Sequence, residues 1–439
     1  MMSQESSQHI VDNEESRQHV VDSTQGGESS SLSTVYRLLS TKAGFSLVEL
    51  MITMVIFLIV IAAASGILTG MITQFKQQSK ITETNIEGAI GLEMMRRDIE
   101  HAGYGLPWSL GVATYNEALN DVNTVQNETG YNDSTSNPPR AFVSGNGEGS
   151  GSSDVLVIKA MNVAIWTNGA SSKWTHLFNG NTVREWMPTT ERLATSDRVI
   201  VLRTDENRTL VVSGVSFTTR YAENGAAADN LVNAAFAPPD NTETRVVYGV
   251  TPAATADVTT ALWMPFNRAD YYVRTPGTMP TNCANGTGIL YKATVNQSGM
   301  TGVTAGGLNE LPILDCVADM QVGFGVDTDT TPDGVPNCYV NNLGDAITVN
   351  AANIRSRVKE VRVYILAHEG QYDRDFTFTP TPPLLPSSIR VGEPSANLPG
   401  GICTAETVLG RDFDLAGITN WQNYRWKVYT LVVRPNNLR

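Results

Sequence analysis

The longest apolar run in the chain covers residues 45–75, from Phe45 to Phe75. From Leu50 onwards the run contains no ionisable side chain, and about 20 apolar residues at 1.5 Å rise each span the core of a bilayer. In lipid, a single apolar segment satisfies its backbone polar groups only as a helix. The pattern therefore predicts one membrane-spanning helix over residues 45–75.

Beyond residue 75 the pattern becomes amphipathic, and nothing breaks the helix before Gly103. Apolar side chains recur at steps of three and four on two adjacent lines: Ile86, Ala89, Ile90 and Met94, and Leu92, Met95 and Ile99. The helix is thus predicted to reach residue 102 and to lay this apolar face on a globular domain. Four glycines are expected to lower its intrinsic stability and to allow bending: Gly66, Gly70, Gly88 and Gly91.

Residues 103–439 mix short β-prone runs with polar connections rich in Gly, Asn, Thr and Ser. Strands are predicted at residues 154–160, 198–203, 209–213, 244–250 and 288–293. The Gly/Ser loop at 145–153 precedes a strand and does not open a helix after one, so the sequence does not support a phosphate-binding loop there. The pattern predicts a β-rich globular domain behind the long helix.

The chain is acidic, with a formal net charge of −13 at pH 7. Such a domain repels polyphosphates, so nucleic acid is not expected as a direct ligand. The four cysteines, Cys283, Cys316, Cys338 and Cys403, lie far beyond the helix and have no CxxC spacing. An even number in an exported domain predicts two disulfides in an oxidising compartment, with three connectivities open.

Glu49 is a carboxylate four residues into the apolar run. An ionisable group there costs a few kcal/mol on insertion scales, which points to a function and a partner. Cleavage of the chain after Gly44 would create a matching cation, because the new α-amino group of Phe45 would lie level with Glu49 of a neighbouring copy.

The residues from Gly44 to Met51, GFSLVELM, resemble the cleavage and methylation signature of type IV prepilins. The resemblance implies that a membrane peptidase cuts after Gly44, that Phe45 becomes the N-methylated terminus, and that Glu49 guides the subunit into a filament. It also implies several partners: the prepilin peptidase and N-methyltransferase, other minor and major pilins, the inner-membrane assembly platform and the lipid bilayer.

Two ordinary interpretations compete with this one. A general secretory signal peptide could be cut after Ala64, before Ser65, but a long preceding region and an interrupting glutamate argue against it. The other is an uncleaved membrane anchor with an incidental glutamate. The region before the motif, residues 1–44, is interpreted as a cleaved leader. Its residues 1–34 are predicted to be disordered, or to precede a true translation start nearer Val35.

Residues 97–105, RDIEHAGYG, resemble the RDIxxAGY junction of the PilW family of minor pilins. The resemblance returns loosely at residues 311–439, where a strand runs into an acidic turn at 311–334 and the last strands fall at 358–366 and 424–434. Residues of about 105–300 form a variable middle. The fold class expected is α+β: a long N-terminal membrane-spanning helix packed on a β-rich periplasmic domain, as in pilins.

The acidic turn contains Asp327, Asp329 and Asp333, a weak candidate for a metal site. The EF-hand template fails there, because Pro332 and Cys338 occupy the places that require Gly and Glu, and a solvated turn is the preferred interpretation. The three histidines beyond the region interpreted as a leader, His101, His176 and His368, are scattered along the sequence. No catalytic or cofactor motif occurs. No enzymatic activity and no cofactor are therefore expected.

The interpretation reached is a minor type IV pilin, and the resemblance to the PilW family implies that it primes or caps pilus assembly. It would be a single-pass inner-membrane protein with a periplasmic C-terminal domain that reaches the surface pilus after assembly. Two alternatives remain: a J-type minor pseudopilin of type II secretion, and a membrane-anchored enzyme or ligand-binding domain.

Overall fold

The structure is a computed structural model that describes Gly44 and residues 46–119, 128–164, 173–178, 181–182, 189–195, 197–221, 235–251, 262–297, 305–381 and 385–438. The segment interpreted as a disordered leader and the predicted new terminus Phe45 lie outside the described residues. The chain divides into two compact units, Met1–Gly70 and Met71–Arg439, which are described separately.

A single long helix, α1 (Leu47–Glu100), begins in the first unit and ends in the second. Its first turn carries Glu49 and its last turn carries Arg97, so each side chain opposes the partial charge of its helix end. Gly103 follows with φ +81°, a left-handed conformation that glycine adopts without strain at a helix C-terminus. The helix therefore lies close to its predicted limits of residues 45 and 102.

The second unit buries one face of α1, and this is only partly the face predicted. Met95 and Ile99 are fully buried in the main core, and Leu92 packs against that core while half-buried. Ile86 and Ile90, in contrast, are 56% and 64% exposed. The predicted docking of this line was therefore wrong for Ile86, Ala89 and Ile90, whereas Met94 of the same line packs against the main core.

Two glycines explain which face of α1 is buried. A Cβ atom at Gly91 would lie 2.1 Å from the backbone oxygen of Ile313, and one at Gly88 would lie 3.1 Å from Cδ1 of Leu314. The domain thus approaches the helix where the helix has no side chain. The buried face is set by close packing and not by the number of large apolar side chains on the helix.

The strands all belong to the second unit, and their bounds in chain order are β1 (Phe142–Gly145), β2 (Val155–Lys159), β3 (Trp174–Phe178), β4 (Asn181–Thr182), β5 (Arg198–Arg203), β6 (Thr218–Arg220), β7 (Thr244–Thr251), β8 (Arg268–Arg274), β9 (Gly288–Val295), β10 (Leu308–Val326), β11 (Cys338–Val340), β12 (Val358–Glu369), β13 (Ser388–Pro394), β14 (Val408–Asp414) and β15 (Arg425–Val433). A short helix, α2 (Ala351–Arg357), precedes β12 and is capped by the side chain of Asn350.

The main sheet is antiparallel and has the order β1-β2-β8-β9-β10-β12-β15, with β11 also paired to β10. The strand β10 has 19 residues and lies between β9 and β12. Its pairing with β9 shifts register between Pro312 and Leu314, as expected where a proline cannot donate a ladder hydrogen bond. The main core combines the buried face of α1 with side chains of this sheet.

Two smaller β-structures complete the second unit. One is a five-stranded antiparallel sheet with the order β4-β3-β7-β5-β6 and a separate core around Leu177, Val199 and Val247. The other is the hairpin of β13 and β14, whose buried Val391 and Leu409 share a core with Tyr364 and Leu366 of β12. β12 thus contributes to two cores.

Two disulfides are present, and they fix one of the three connectivities left open by the sequence. Cys283 pairs with Cys316 and joins the turn before β9 to β10; Cys338 pairs with Cys403 and joins β11 to the connection between β13 and β14. Each closes a loop of the kind that typically stabilises a fold by about 2–4 kcal/mol.

Most of the predicted strands exist, and the one at residues 198–203 has the predicted bounds. Those predicted at 154–160, 244–250, 288–293, 358–366 and 424–434 correspond to β2, β7, β9, β12 and β15. The strand predicted at 209–213 is wrong, because this segment forms only isolated bridges. The sequence pattern did not predict β1, β3, β4, β6, β8, β11, β13, β14 or α2.

The close contact at Gly91 leads to a stability prediction. Gly91→Ala raises helix propensity by up to about 1 kcal/mol. The added Cβ, however, would collide with the backbone of Ile313, and overpacking costs about 1–3 kcal/mol. We therefore expect a net loss of stability in urea unfolding of the detergent-solubilised protein. Gly70→Ala is the matched control, since a Cβ there meets nothing within 4 Å; equal effects of the two substitutions would contradict the close docking.

Candidate functional site

The predicted processing segment lies at the start of α1. Gly44 has no regular secondary structure, and a Cβ atom added to it would meet nothing within 4 Å. Helical hydrogen bonding begins with the N–H of Leu50, which donates to the carbonyl of Ser46 at 3.0 Å. Gly44 thus lies outside the helix, as expected of a residue that a protease must reach. Phe45 itself lies outside the described residues.

Glu49 lies in the first turn of α1 and is exposed in the isolated chain. Among the described residues, none forms an ion pair with it. The helix dipole stabilises a carboxylate at this position by about 0.3–1 kcal/mol, which is less than the few kcal/mol that a charge costs inside a bilayer. The charge of Glu49 is therefore not compensated by the described part of its own chain.

The residues that follow Glu49 form the apolar part of the helix. α1 is long and apolar enough to cross a membrane, and its most apolar 18-residue window has a mean hydropathy of 2.8. None of that window is buried against the rest of the chain. Its large apolar side chains, such as Phe57 and Leu58 at 65% exposure each, are not covered by the described part of the chain.

The end of α1 is tied to the main sheet by a buried carboxylate. Asp98 accepts a hydrogen bond from the hydroxyl of Tyr271 at 2.6 Å and pairs with Lys292 Nζ at 2.5 Å. Burial raises the pKa of Asp98, and the charge of Lys292 opposes that shift. The RDIEHAGYG segment thus has a structural role: Asp98 joins α1 to β8 and β9, and Gly103 and Gly105 turn the chain with positive φ.

Comparison with known proteins gives two matches to protein families. The prokaryotic N-terminal methylation motif matches residues 39–65, and the type IV pilus-assembly protein W (PilW) family matches residues 270–437. Residues 270–437 are thus similar to the PilW family. This match begins upstream of Leu311, so it includes β8 and β9 as well as the last strands of the main sheet.

Similarity to other known proteins is slight. The type IV-like pilin TTHA1219 from Thermus thermophilus resembles this chain at 11% identity, with a TM-score of 0.21, over 56% of this chain and 89% of that one. A superposition this loose carries no argument. No curated protein sequence matches the chain. Two features therefore inform function: the long apolar helix with its methylation motif, and the segment 270–437 that matches the PilW family.

The acidic turn after β10 does bring Asp327, Asp329 and Asp333 together, with one oxygen of each within 4.8 Å of the others. The buried Asp327 accepts the backbone N–H groups of Asp329 and Gly334, at 3.2 and 2.8 Å. Arg357 donates to the carbonyl groups of Asp327 and Asp329. The N–H groups of the turn and one arginine thus engage oxygens of Asp327 and Asp329.

The histidines lie on different elements and contact aromatic side chains. His101 lies just beyond α1 against Tyr104, His176 lies on β3 against Trp174, and His368 is the penultimate residue of β12. In the part of the chain that the structure describes, no group of three metal-ligating side chains includes a histidine. Their positions agree with the expectation that they are scattered.

A buried ionic network was missed by the sequence analysis. Lys159 Nζ lies 2.7 Å from carboxylate oxygens of both Glu117 and Asp133, and Arg268 contacts Glu117 and Asp270. All these side chains are almost completely buried. The sequence does contain an indication of this network. Lys159 ends the apolar run VLVIK, and a lysine buried with such a run requires an acidic partner.

Two buried groups should give opposite pH dependences of stability. Burial lowers the pKa of His368 from 6.5 to about 4, so the stability this group contributes is complete above pH 6.5 and is lost as the pH falls to 4. Burial raises the pKa of Asp154 from 3.8 to about 7, against the effect of the N–H groups of Gly147 and Val322. Its contribution is complete below pH 3.8 and is lost as the pH rises to 7.

Single variants separate the two contributions. The free energy of unfolding of the wild type minus that of His368→Gln should increase by about 3 kcal/mol between pH 4 and 6.5. The corresponding difference for Asp154→Asn should decrease by up to about 4 kcal/mol between pH 4 and 7. Denaturant unfolding at several pH values measures both differences; curves parallel to the wild type would contradict the assigned pKa values.

Proposed function

We propose that this chain is a minor type IV pilin, a structural subunit that primes or caps pilus assembly after processing at Gly44. The observation that carries the proposal is the charge of Glu49, at the start of an apolar helix, with no ion partner in the described part of its own chain. The methylation motif at residues 39–65 and the PilW-family match at 270–437 support it.

In the proposed mechanism, another subunit supplies the positive charge that pairs with Glu49. Cleavage after Gly44 frees the α-amino group of Phe45, four residues before Glu49; this amine is cationic, and it remains so after a methyltransferase methylates it in a separate step. In the filament, the amine of one subunit pairs with the carboxylate of the next, because an ion pair in apolar surroundings requires both charges at the same depth. The apolar part of α1 holds the subunit in the bilayer before assembly and in the filament core afterwards.

Several observations support the proposed location and class. The two disulfides are typical of an oxidising compartment, which fits a C-terminal domain on the periplasmic side of the inner membrane. The PilW-family match favours a pilus over a type II secretion system. The bulk of the domain suits a subunit at the end of a filament better than one repeated along the shaft, and we infer a structural and not an enzymatic role.

Processing is tested by Gly44→Ala. A Cβ at Gly44 has nothing to contact within 4 Å, so the substitution should leave folding intact and slow cleavage only through recognition by the peptidase. The mass of the N-terminal peptide from membranes should show accumulated precursor, whereas Gly66→Ala should show the wild-type methylated Phe45. A mature terminus at Ser65 in all three proteins would contradict the proposal.

Assembly is tested by Glu49→Gln and Glu49→Ala. Both remove the charge, and Gln keeps the shape, so both should enter the membrane normally while their amount in sheared filaments falls by about tenfold or more. Glu93→Ala is the matched control, because its exposed carboxylate lies on the same helix and only contacts Arg96. Incorporation of Glu49→Gln at the wild-type level would refute the pairing mechanism while leaving processing at Gly44 untouched.

A further inference from the structure

A cavity of about 540 Å³ opens in the second unit. It is lined by the segment before β1, including Asp133, Ser134, Asn137 and Arg140, and by the start of α2, including Asn350 and Arg355. Trp108 lines the cavity too. Ligand pockets in proteins typically measure about 300–1,000 Å³, so the cavity is large enough for a small organic molecule.

The charges of the lining residues Asp133 and Arg140, and of the buried groups they contact, are balanced. The carboxylate of Asp133 pairs with Lys159 Nζ and accepts a hydrogen bond from Nε of Arg140. Behind them, the carboxylate of Glu117 meets Lys159 and Arg268. Each buried acid in this group has a basic partner at hydrogen-bond distance, so the network as a whole offers no free charge to a ligand.

The positive charges beside Trp108, in contrast, are not balanced by acidic groups among the described residues. The guanidinium carbon of Arg355 lies 4.0 Å from the centre of the Trp108 ring, and that of Arg208 lies 5.0 Å from it. Neither arginine has a carboxylate within ion-pair distance among the described residues. Burial and the like charge of Arg208 both lower the pKa of Arg355. Two arginines thus share one aromatic ring, with no acidic partner, in a chain whose formal net charge is −13.

The remaining polar groups of the cavity can serve a ligand. Asn350 uses its Oδ1 to cap α2 by accepting from Asn353 N at 2.8 Å, and its Nδ2 has no partner among the described residues. The same holds for the hydroxyl of Ser134 and the side-chain amide of Asn137. Hydroxyl and amide groups both donate and accept hydrogen bonds, and so they match the hydroxyl groups of a sugar.

We propose that this cavity binds a small organic anion of the acidic-sugar type, with Arg355 as its charged contact. An arginine pairs with a carboxylate through two parallel hydrogen bonds, and Arg355, which has no acidic partner among the described residues, has both available. Trp108 holds the guanidinium flat by stacking. Ser134, Asn137 and Asn350 meet the hydroxyl groups of the ring.

The test is a titration of the full-length protein in a polyoxyethylene detergent, which contains no sugar. D-glucuronate, D-glucose and inorganic phosphate are the probes, followed by calorimetry and by tryptophan fluorescence. We expect saturable binding of glucuronate that weakens with added salt, and binding of glucose and of phosphate at least about tenfold weaker. Binding of glucose as tight as that of glucuronate would overturn the charged contact, and equally tight phosphate would overturn the sugar.

Variants locate the site. Arg355→Gln should weaken glucuronate binding by about tenfold or more, whereas Arg96→Gln, which removes the same charge from an exposed site on α1, should not. Ala352→Phe adds a bulky side chain to the exposed lining residue Ala352 and should block binding without touching a charge. Unfolding curves identify any variant that fails to fold. Wild-type binding by folded Ala352→Phe, or no glucuronate binding by the wild type, would overturn the proposal.

Discussion

The docking of α1 on the main sheet depends on one close approach, where Gly91 faces the backbone of Ile313. Because the helix has no side chain there, its axis can come near enough to β10 for Met95 and Ile99 to enter the core. The same approach brings Asp98 within reach of Lys292 and Tyr271 on β9 and β8. Any side chain at position 91 would push these contacts apart, so the packing and the buried ion pair share one geometric condition.

This choice of face has a consequence for the rest of the helix. The sheet uses the side that carries Gly88, Gly91 and Met95, and it leaves Ile86 and Ile90 exposed. Exposed isoleucines on a helix are costly in water unless another surface covers them. A filament of the proposed type would provide such a surface, since the apolar part of the same helix already requires one.

The sequence predicted the long helix and most of the strands for identifiable reasons. Uninterrupted helical residues fix α1, and β-prone runs such as RVIVLR at 198–203 are recognisable by themselves. The strand β8, RADYYVR, was missed because its charged residues disguise a buried strand. Their partners, Glu117 for Arg268 and Glu310 for Arg274, are far away in the chain. The buried face of α1 was predicted wrongly for the same reason. Helical periodicity shows where apolar side chains recur, but it cannot show that the distant backbone of Ile313 faces Gly91.

Predictability divides the candidate sites in the same way. Gly44 and Glu49 were found because a motif is contiguous and a glutamate in an apolar run is conspicuous, whereas the cavity joins residues from 108, 132–140 and 350–355 and has no local signature. The two locations nevertheless share one physical property. Asp98 and Lys159 are charges that the fold neutralises internally at hydrogen-bond distance. Glu49 and Arg355 find no such partner among the described residues. Since an uncompensated charge near apolar or enclosed surroundings raises the free energy of the isolated chain, both positions gain most from a partner of opposite charge supplied by another molecule.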